Sequence, residues 1–258
     1  SLTIAANGNT FAKNAGAGTI YIQEPGAAQG DLLIDNKNIS TTVETVLSNT
    51  SDSLSVRNLI LTGGAVFSFA TTTTLTINGD FNPETSTSFK AGSSTVIFAG
   101  SSNTITGSSD FYNLEKTNTT GGAETLLLEA GQTQTITNLL TLEGQSSGNQ
   151  LTVDSTQLGV LSNFAVTGTT TIEFVQVRDN GAIGQTINAS SSTNLGGVIN
   201  WSFNGGEPSG GLVWNDTDWT LYDTITIRHE NIDEPLTDFP VYVDLADLSA
   251  QFWSTITN

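Results

Sequence analysis

A chain of 258 residues in which 36 % are hydrophobic and 26 are glycine holds enough apolar material for a core, which excludes global disorder. Only 12 % of its residues are charged, about half the usual quarter, so Ser, Thr, Asn, Gln and Gly must cover the surface. Seven basic against 25 acidic side chains give a formal charge of −18, which excludes the basic footprint that nucleic acid or an anionic membrane requires and makes cations such as Ca²⁺ the more natural small partners.

Cysteine is absent, so there is no disulfide framework and no thiolate chemistry. No apolar run approaches the roughly 18 residues needed to span a bilayer, so no membrane insertion is expected. The chain opens at Ser1 without a signal peptide, and any such segment is expected to have been cleaved or to lie outside this sequence.

Residues 1–203 consist of short strand-type runs separated by Gly, Asn and Ser. They begin with Leu2–Ile4, Thr19–Ile22, Leu32–Ile34, Leu59–Leu61, Val66–Phe69 and Leu75–Ile77. Val96–Phe98, Leu126–Leu128, Leu151–Val153 and Ile172–Val175 follow. Several alternate apolar and polar residues, the mark of a half-buried strand, and none keeps a helical period for three turns. Leu75 to Val96 is 21 residues, Leu126 to Leu151 is 25, and Leu151 to Ile172 is 21. That spacing suits one coil of a parallel β-helix. A β-sandwich also repeats strands at short intervals, but here the turns vary in length and hairpin dipeptides are scarce. The spacing predicts stacked parallel strands over residues 75–175, with Leu75, Ile77, Val96, Phe98, Leu126, Leu128, Leu151 and Val153 inward.

The segment Gly92–Gly100, then Asn103–Gly107, then Phe111–Leu114, resembles a repeat of giant bacterial surface proteins, in which a "GTVxFxG" strand precedes "QTITG" and "FxNL". Gly18–Ile22 followed by Gly30–Ile34 is similar to another coil of these proteins, and Val175–Asp179 through Asn200–Phe203 to a closing coil. The resemblance covers about residues 15–203 and implies a right-handed parallel β-helix.

Residues 204–212 hold Gly, Pro and Ser and read as a linker. Beyond it, residues 213–258 carry nine acidic groups against Arg228 alone, and seven aromatics. Trp219–Ile227, Leu236–Leu245 and Phe252-Trp253 resemble the start of domain of unknown function 2341, a module of bacterial and archaeal surface proteins. Asp223 departs from it, because the family usually has a basic residue there, and the chain stops at Asn258 before the family's later strands. The resemblance implies the opening part of a small β-sandwich-like domain, truncated in this sequence.

Chemistry-bearing motifs are sparse. His229 is the only histidine, which excludes zinc sites needing two His or Cys ligands and leaves residues 1–203 without the histidine of a polygalacturonase-type site. The cations Lys13, Lys37, Arg57, Lys90, Lys116 and Arg178 and the acids Asp31, Asp35, Asp80, Asp110, Asp154 and Asp179 read as scattered among different coils. Asp216, Asp218 and Asp223 are Ca²⁺ candidates because hard cations want clustered carboxylate oxygens; the alternative is that they solvate strand ends. Trp214, Trp219 and Trp253 are candidates for stacking on sugar rings, or else form the core of their domain.

The expected fold is all-β: a parallel β-helix over 1–203, a linker over 204–212, and the start of an acidic, aromatic β-domain over 213–258. The expected function is an extracellular structural or adhesive scaffold or assembly subunit at a microbial cell surface, not an enzyme. Its partners would be further copies of itself or neighbouring surface modules. The alternatives are a carbohydrate-binding module and a polysaccharide lyase or hydrolase.

Overall fold

The computed structural model describes residues 6, 15–39, 42–47, 53–69 and 72–203. Among these residues the protein is all-β, with no helix. The alternation of β-branched or aromatic residues with Thr, Ser and Asn favours this, because such residues fit a pleated, half-buried surface. After β1 (Thr19–Ile22) the chain makes seven successive passes. The first pass is β2 (Asp31–Asp35), β3 (Thr45–Leu47) and β4 (Ser53–Val56); the second is β5 (Leu59–Thr62), β6 (Val66–Phe69) and β7 (Thr74–Ile77). The third is β8 (Phe81–Pro83), β9 (Ser88–Lys90) and β10 (Thr95–Phe98). The fourth and fifth have one short and one long strand each: β11 (Ser102–Ile105) with β12 (Ser109–Thr117), then β13 (Glu124–Leu128) with β14 (Thr133–Glu143). The sixth is β15 (Leu151–Ser155), β16 (Ser162–Val166) and β17 (Thr169–Glu173). The seventh is β18 (Val175–Val177), β19 (Asn180–Gly184) and β20 (Ile187–Ala189), followed by β21 (Thr193–Asn194) and β22 (Trp201–Phe203).

The opening strand of every pass joins a nine-stranded sheet in the order β1-β2-β5-β8-β11-β13-β15-β18-β21. The later strands form an eleven-stranded sheet, except β20, which pairs with β22. The long β12 and β14 each serve two rows of that sheet, with a register shift in β12 between Phe111 and Asn113. Neighbouring passes pair in parallel. Leu59 lies beside Phe81, Phe81 beside Ile105, Asn103 beside Leu126 and Leu151 beside Val175, 22 to 24 residues on in each case.

The inner face is apolar. Leu75, Ile77, Val96, Phe98, Leu126, Leu128, Leu151 and Val153 are all fully buried, as the alternation predicts, and each contributes about 1.5–3 kcal/mol by leaving water. Phe89 is the hub of an aromatic cluster, with ring centroids 5.1 Å from Phe81, 5.6 Å from Phe111 and 6.0 Å from both Phe67 and Phe69. Near the other end Trp201 packs 6.4 Å from Phe164 and donates from its indole N–H to Asn180 Oδ1 at 3.1 Å.

One expected coil is corrected. Gly18–Ile22 and Gly30–Ile34 are not successive sides of one coil: β1 pairs antiparallel with β2, Thr19 opposite Ile34 and Ile22 opposite Asp31. The two strands share one sheet, and the link between them, residues 23–30, is shorter than the dozen or so residues of a parallel crossover. The link turns at Glu24-Pro25-Gly26-Ala27, where Pro25 presets its own φ, Gly26 takes φ +82° and Ala27 N–H donates to Glu24 O at 3.1 Å.

Candidate functional site

Asp216, Asp218, Asp223, Trp214, Trp219, Trp253 and His229 all lie outside the described residues, as does Lys13. The described charges are not scattered: the strand registers bring most of them into cross-pass partnerships. Arg57, in the turn that carries the first pass into the second, forks onto Asp31 of β2, which also accepts from Asn58 Nδ2 at 2.8 Å. Arg178 forks onto Asp154, one pass earlier. Lys90 reaches Glu44 at 2.5 Å, and Ser68 Oγ donates to the other Glu44 oxygen at 2.7 Å. Other acids hold backbone amides of a neighbouring pass. Glu84 accepts from Gly63 N–H at 2.8 Å, Glu129 from Gly107 N–H at 2.6 Å, Asp80 from Thr104 N–H at 2.8 Å and Asp179 from Gly159 N–H at 2.7 Å. Among the described residues no group of three His, Cys, Asp or Glu side chains is arranged to hold a metal ion.

The exception to this surface pattern is inside. Lys116 occupies an inward position of β12, following Leu114 by two residues, and its side chain is fully buried. Its ammonium donates to Gly100 O and to Glu124 Oε2, the latter at 2.8 Å. Glu124, equally buried, opens β13 and takes Thr120 Oγ1–H on its second oxygen at 2.9 Å. Burial pulls the Lys116 amine below its ordinary pKa, against the attraction of Glu124. At Glu124 burial pushes upward, but the hydrogen bonds from Lys116 and Thr120 together hold the carboxyl below its ordinary value. Across the corner, Asn103 on the inner face of β11 is also fully buried; its Nδ2 donates to Gly79 O, and its Oδ1 has no hydrogen-bond partner.

Gly122 and Ala123, which lead into Glu124, form one wall of a cleft of about 220 Å³. Gly122–Ala123, Ser147–Gln150 and Gln176 line it, and none of these side chains is charged or aromatic. Asn118 shapes that wall by donating to Gly122 O at 2.7 Å and accepting from Gly121 N–H at 3.1 Å. Opposite, Gln150 and Gln176 are steadied by Thr193 and Thr152. Amides and hydroxyls can exchange hydrogen bonds with a neutral polar ligand, and no residue lining the cleft is a general acid or base at neutral pH. The cleft, Lys116 and Glu124 were not singled out by sequence reasoning; the available signal was strand parity, which places Lys116 with Leu114 and Glu124 with Leu126 and Leu128.

No family model matches the chain, and neither a curated protein nor a solved structure matches it.

Proposed function

We propose that the chain is a structural scaffold or assembly subunit of a microbial cell surface, without catalytic activity, and that its passes are coils of a right-handed parallel β-helix. The observation that carries this reading is how the ionisable groups are used. Asp31, Glu44, Asp154, Glu84, Glu129 and Asp179 each tie one pass to another, through a cation or a backbone amide. Carboxylates held in this way brace a rod and are not poised to transfer protons. The sparse charge, the Thr- and Asn-rich exterior and the net −18 suit a solvated stalk that keeps clear of nucleic acid. No helix among the described residues is long and apolar enough to cross a membrane.

An experimental structure tests the architecture, with right-handed coiling of the parallel strands expected over residues 75–175 and an open or left-handed winding there fatal to the reading. Sedimentation with and without Ca²⁺ tests assembly: the acidic charge opposes contact between copies, so association should strengthen with salt or Ca²⁺. A monodisperse monomer under both conditions leaves the spacer role alone. A second reading, a carbohydrate-binding module, is favoured by the amide-lined cleft. Glycan binding that Gln176→Ala abolishes would establish it.

A further inference from the structure

We propose that Lys116, Asn103 and Glu124 form a self-generated amide cross-link, in which the Lys116 side chain is joined to that of Asn103 and Glu124 carries the proton. Three polar side chains share one corner of a largely apolar interior. Lys116 and Asn103 are fully buried and Glu124 is 1 % exposed. The register sets their proximity. Ile77 pairs with Phe98, so Gly79 and Gly100 occupy equivalent places two residues later on adjacent passes. Asn103 donates to Gly79 O, and Lys116 donates to Gly100 O. A Cβ built on Gly100 would stand 3.0 Å from Asn103 Nδ2, so the corner that receives the lysine also borders the asparagine amide. Glu124 belongs to the strand paired with that of Asn103: Asn103 lies beside Leu126, two residues from Glu124 on the same inner face. Such diagonal neighbours are about 7–8 Å apart at the backbone, within reach of long side chains.

The hydrogen bonding is incomplete in a matching way. An ammonium has three donors; that of Lys116 meets two acceptors, and Asn103 Oδ1 is a buried acceptor without a donor. Leaving both polar groups dry and unmatched is costly, and condensation replaces them with one neutral amide. Glu124 takes a proton from the Lys116 ammonium. The freed amine attacks Asn103 Cγ, the new C–N bond forms, and the bond to Nδ2 breaks. Nδ2 receives the proton from Glu124 and leaves as ammonia, and the attacking nitrogen gives up its second proton to Glu124, which ends neutral. No oxidant, reductant or other co-reactant is needed. Desolvation lowers the barrier to the first step by disfavouring the charged amine.

Intact-mass measurement of the full 258-residue chain, held folded at neutral pH for several days, tests the proposal. The expected mass is lower than the encoded one by a single ammonia, and digestion should give one branched peptide joining the segments around residues 103 and 116. Asn103→Asp should link with loss of water instead. Glu124→Gln and Asn103→Ala should keep their encoded masses while circular dichroism shows them folded. A folded wild-type chain at its full encoded mass overturns the cross-link, and a Glu124→Gln chain that links as fast as wild type overturns the role of the carboxyl. If the Glu124→Gln chain fails to fold, the Asn103→Asp mass alone decides: no water lost from that folded chain overturns the proposal.

Discussion

Arg57 holds Asp31 in a two-point fork, Nε to Oδ1 at 2.8 Å and Nη2 to Oδ2 at 2.7 Å, across 26 residues of chain. The planar guanidinium matches both carboxylate oxygens at once, which a lysine ammonium cannot do. Arg57→Lys therefore loses the geometry while keeping the charge, and should lower the melting temperature. Asp31→Asn should do the same, and the double variant should be no worse than the poorer single one. Additive losses in this thermal-melt cycle would mean that the two residues act independently.

The buried pair should behave differently from the surface forks. Removing one partner leaves an uncompensated charge or a lone carboxyl in the core, at a cost of about 3–5 kcal/mol. In an Asn103→Ala chain, which cannot form the cross-link, Lys116→Met is expected to fall in that range by denaturant unfolding. Pairing it with Glu124→Leu should recover most of the loss, because two apolar side chains of similar volume can replace a buried ion pair.

Phe81 touches both Phe89 and Phe111 and is fully buried. Phe81→Ala should cost about 3–5 kcal/mol, whereas a polar substitution at Leu158, which is 77 % exposed, should stay within about 0.5 kcal/mol. Hydrogen exchange adds a spatial check. Each pass bonds only its neighbours, so lost protection should centre on the passes of β5 to β12 and fade toward β18.

Acid should weaken the fold. The hydrogen bond from Arg57, with help from Asn58, holds Asp31 below its ordinary 3.8. Lys90 and Ser68 hold Glu44 below its ordinary 4.5. A carboxyl lowered by folding adds stability that is complete above its unfolded pKa and is lost as pH falls through the lower native one. Denaturant midpoints should accordingly be flat from pH 7 to about 5 and then decline, and Asp31→Asn should flatten part of that decline. A midpoint that rises below pH 4 would contradict the sign.

The all-β class, the parallel pairing over residues 75–175 and the inward residues were legible because strand parity and repeat length are both local properties of the text. Less legible was what the repeat does to charge. Asp31 and Arg57, and Asp154 and Arg178, are separated by 26 and 24 residues, close to the interval between the apolar runs, so opposite charges one period apart become neighbours. Read singly, they appeared dispersed. Lys116 was hidden because a lysine is usually taken as a surface residue, whatever its parity. The hairpin of β1 and β2 was mistaken for a coil because its strands have ordinary coil composition, and only the short Pro-Gly link betrays the reversal. The calcium and tryptophan candidates of residues 213–258 lie outside the described residues.

Parallel pairing of consecutive passes also decides how the molecule would answer to load. The bonds between passes lie along the direction in which the passes succeed one another, so tension applied to the two ends would peel the outermost pass before disturbing the next. Each detached pass of about 22 residues releases roughly 75 Å of extended chain, and the aromatic cluster around Phe89 sets where peeling stalls. A tether built this way would dissipate a pull in instalments and keep its remaining length folded.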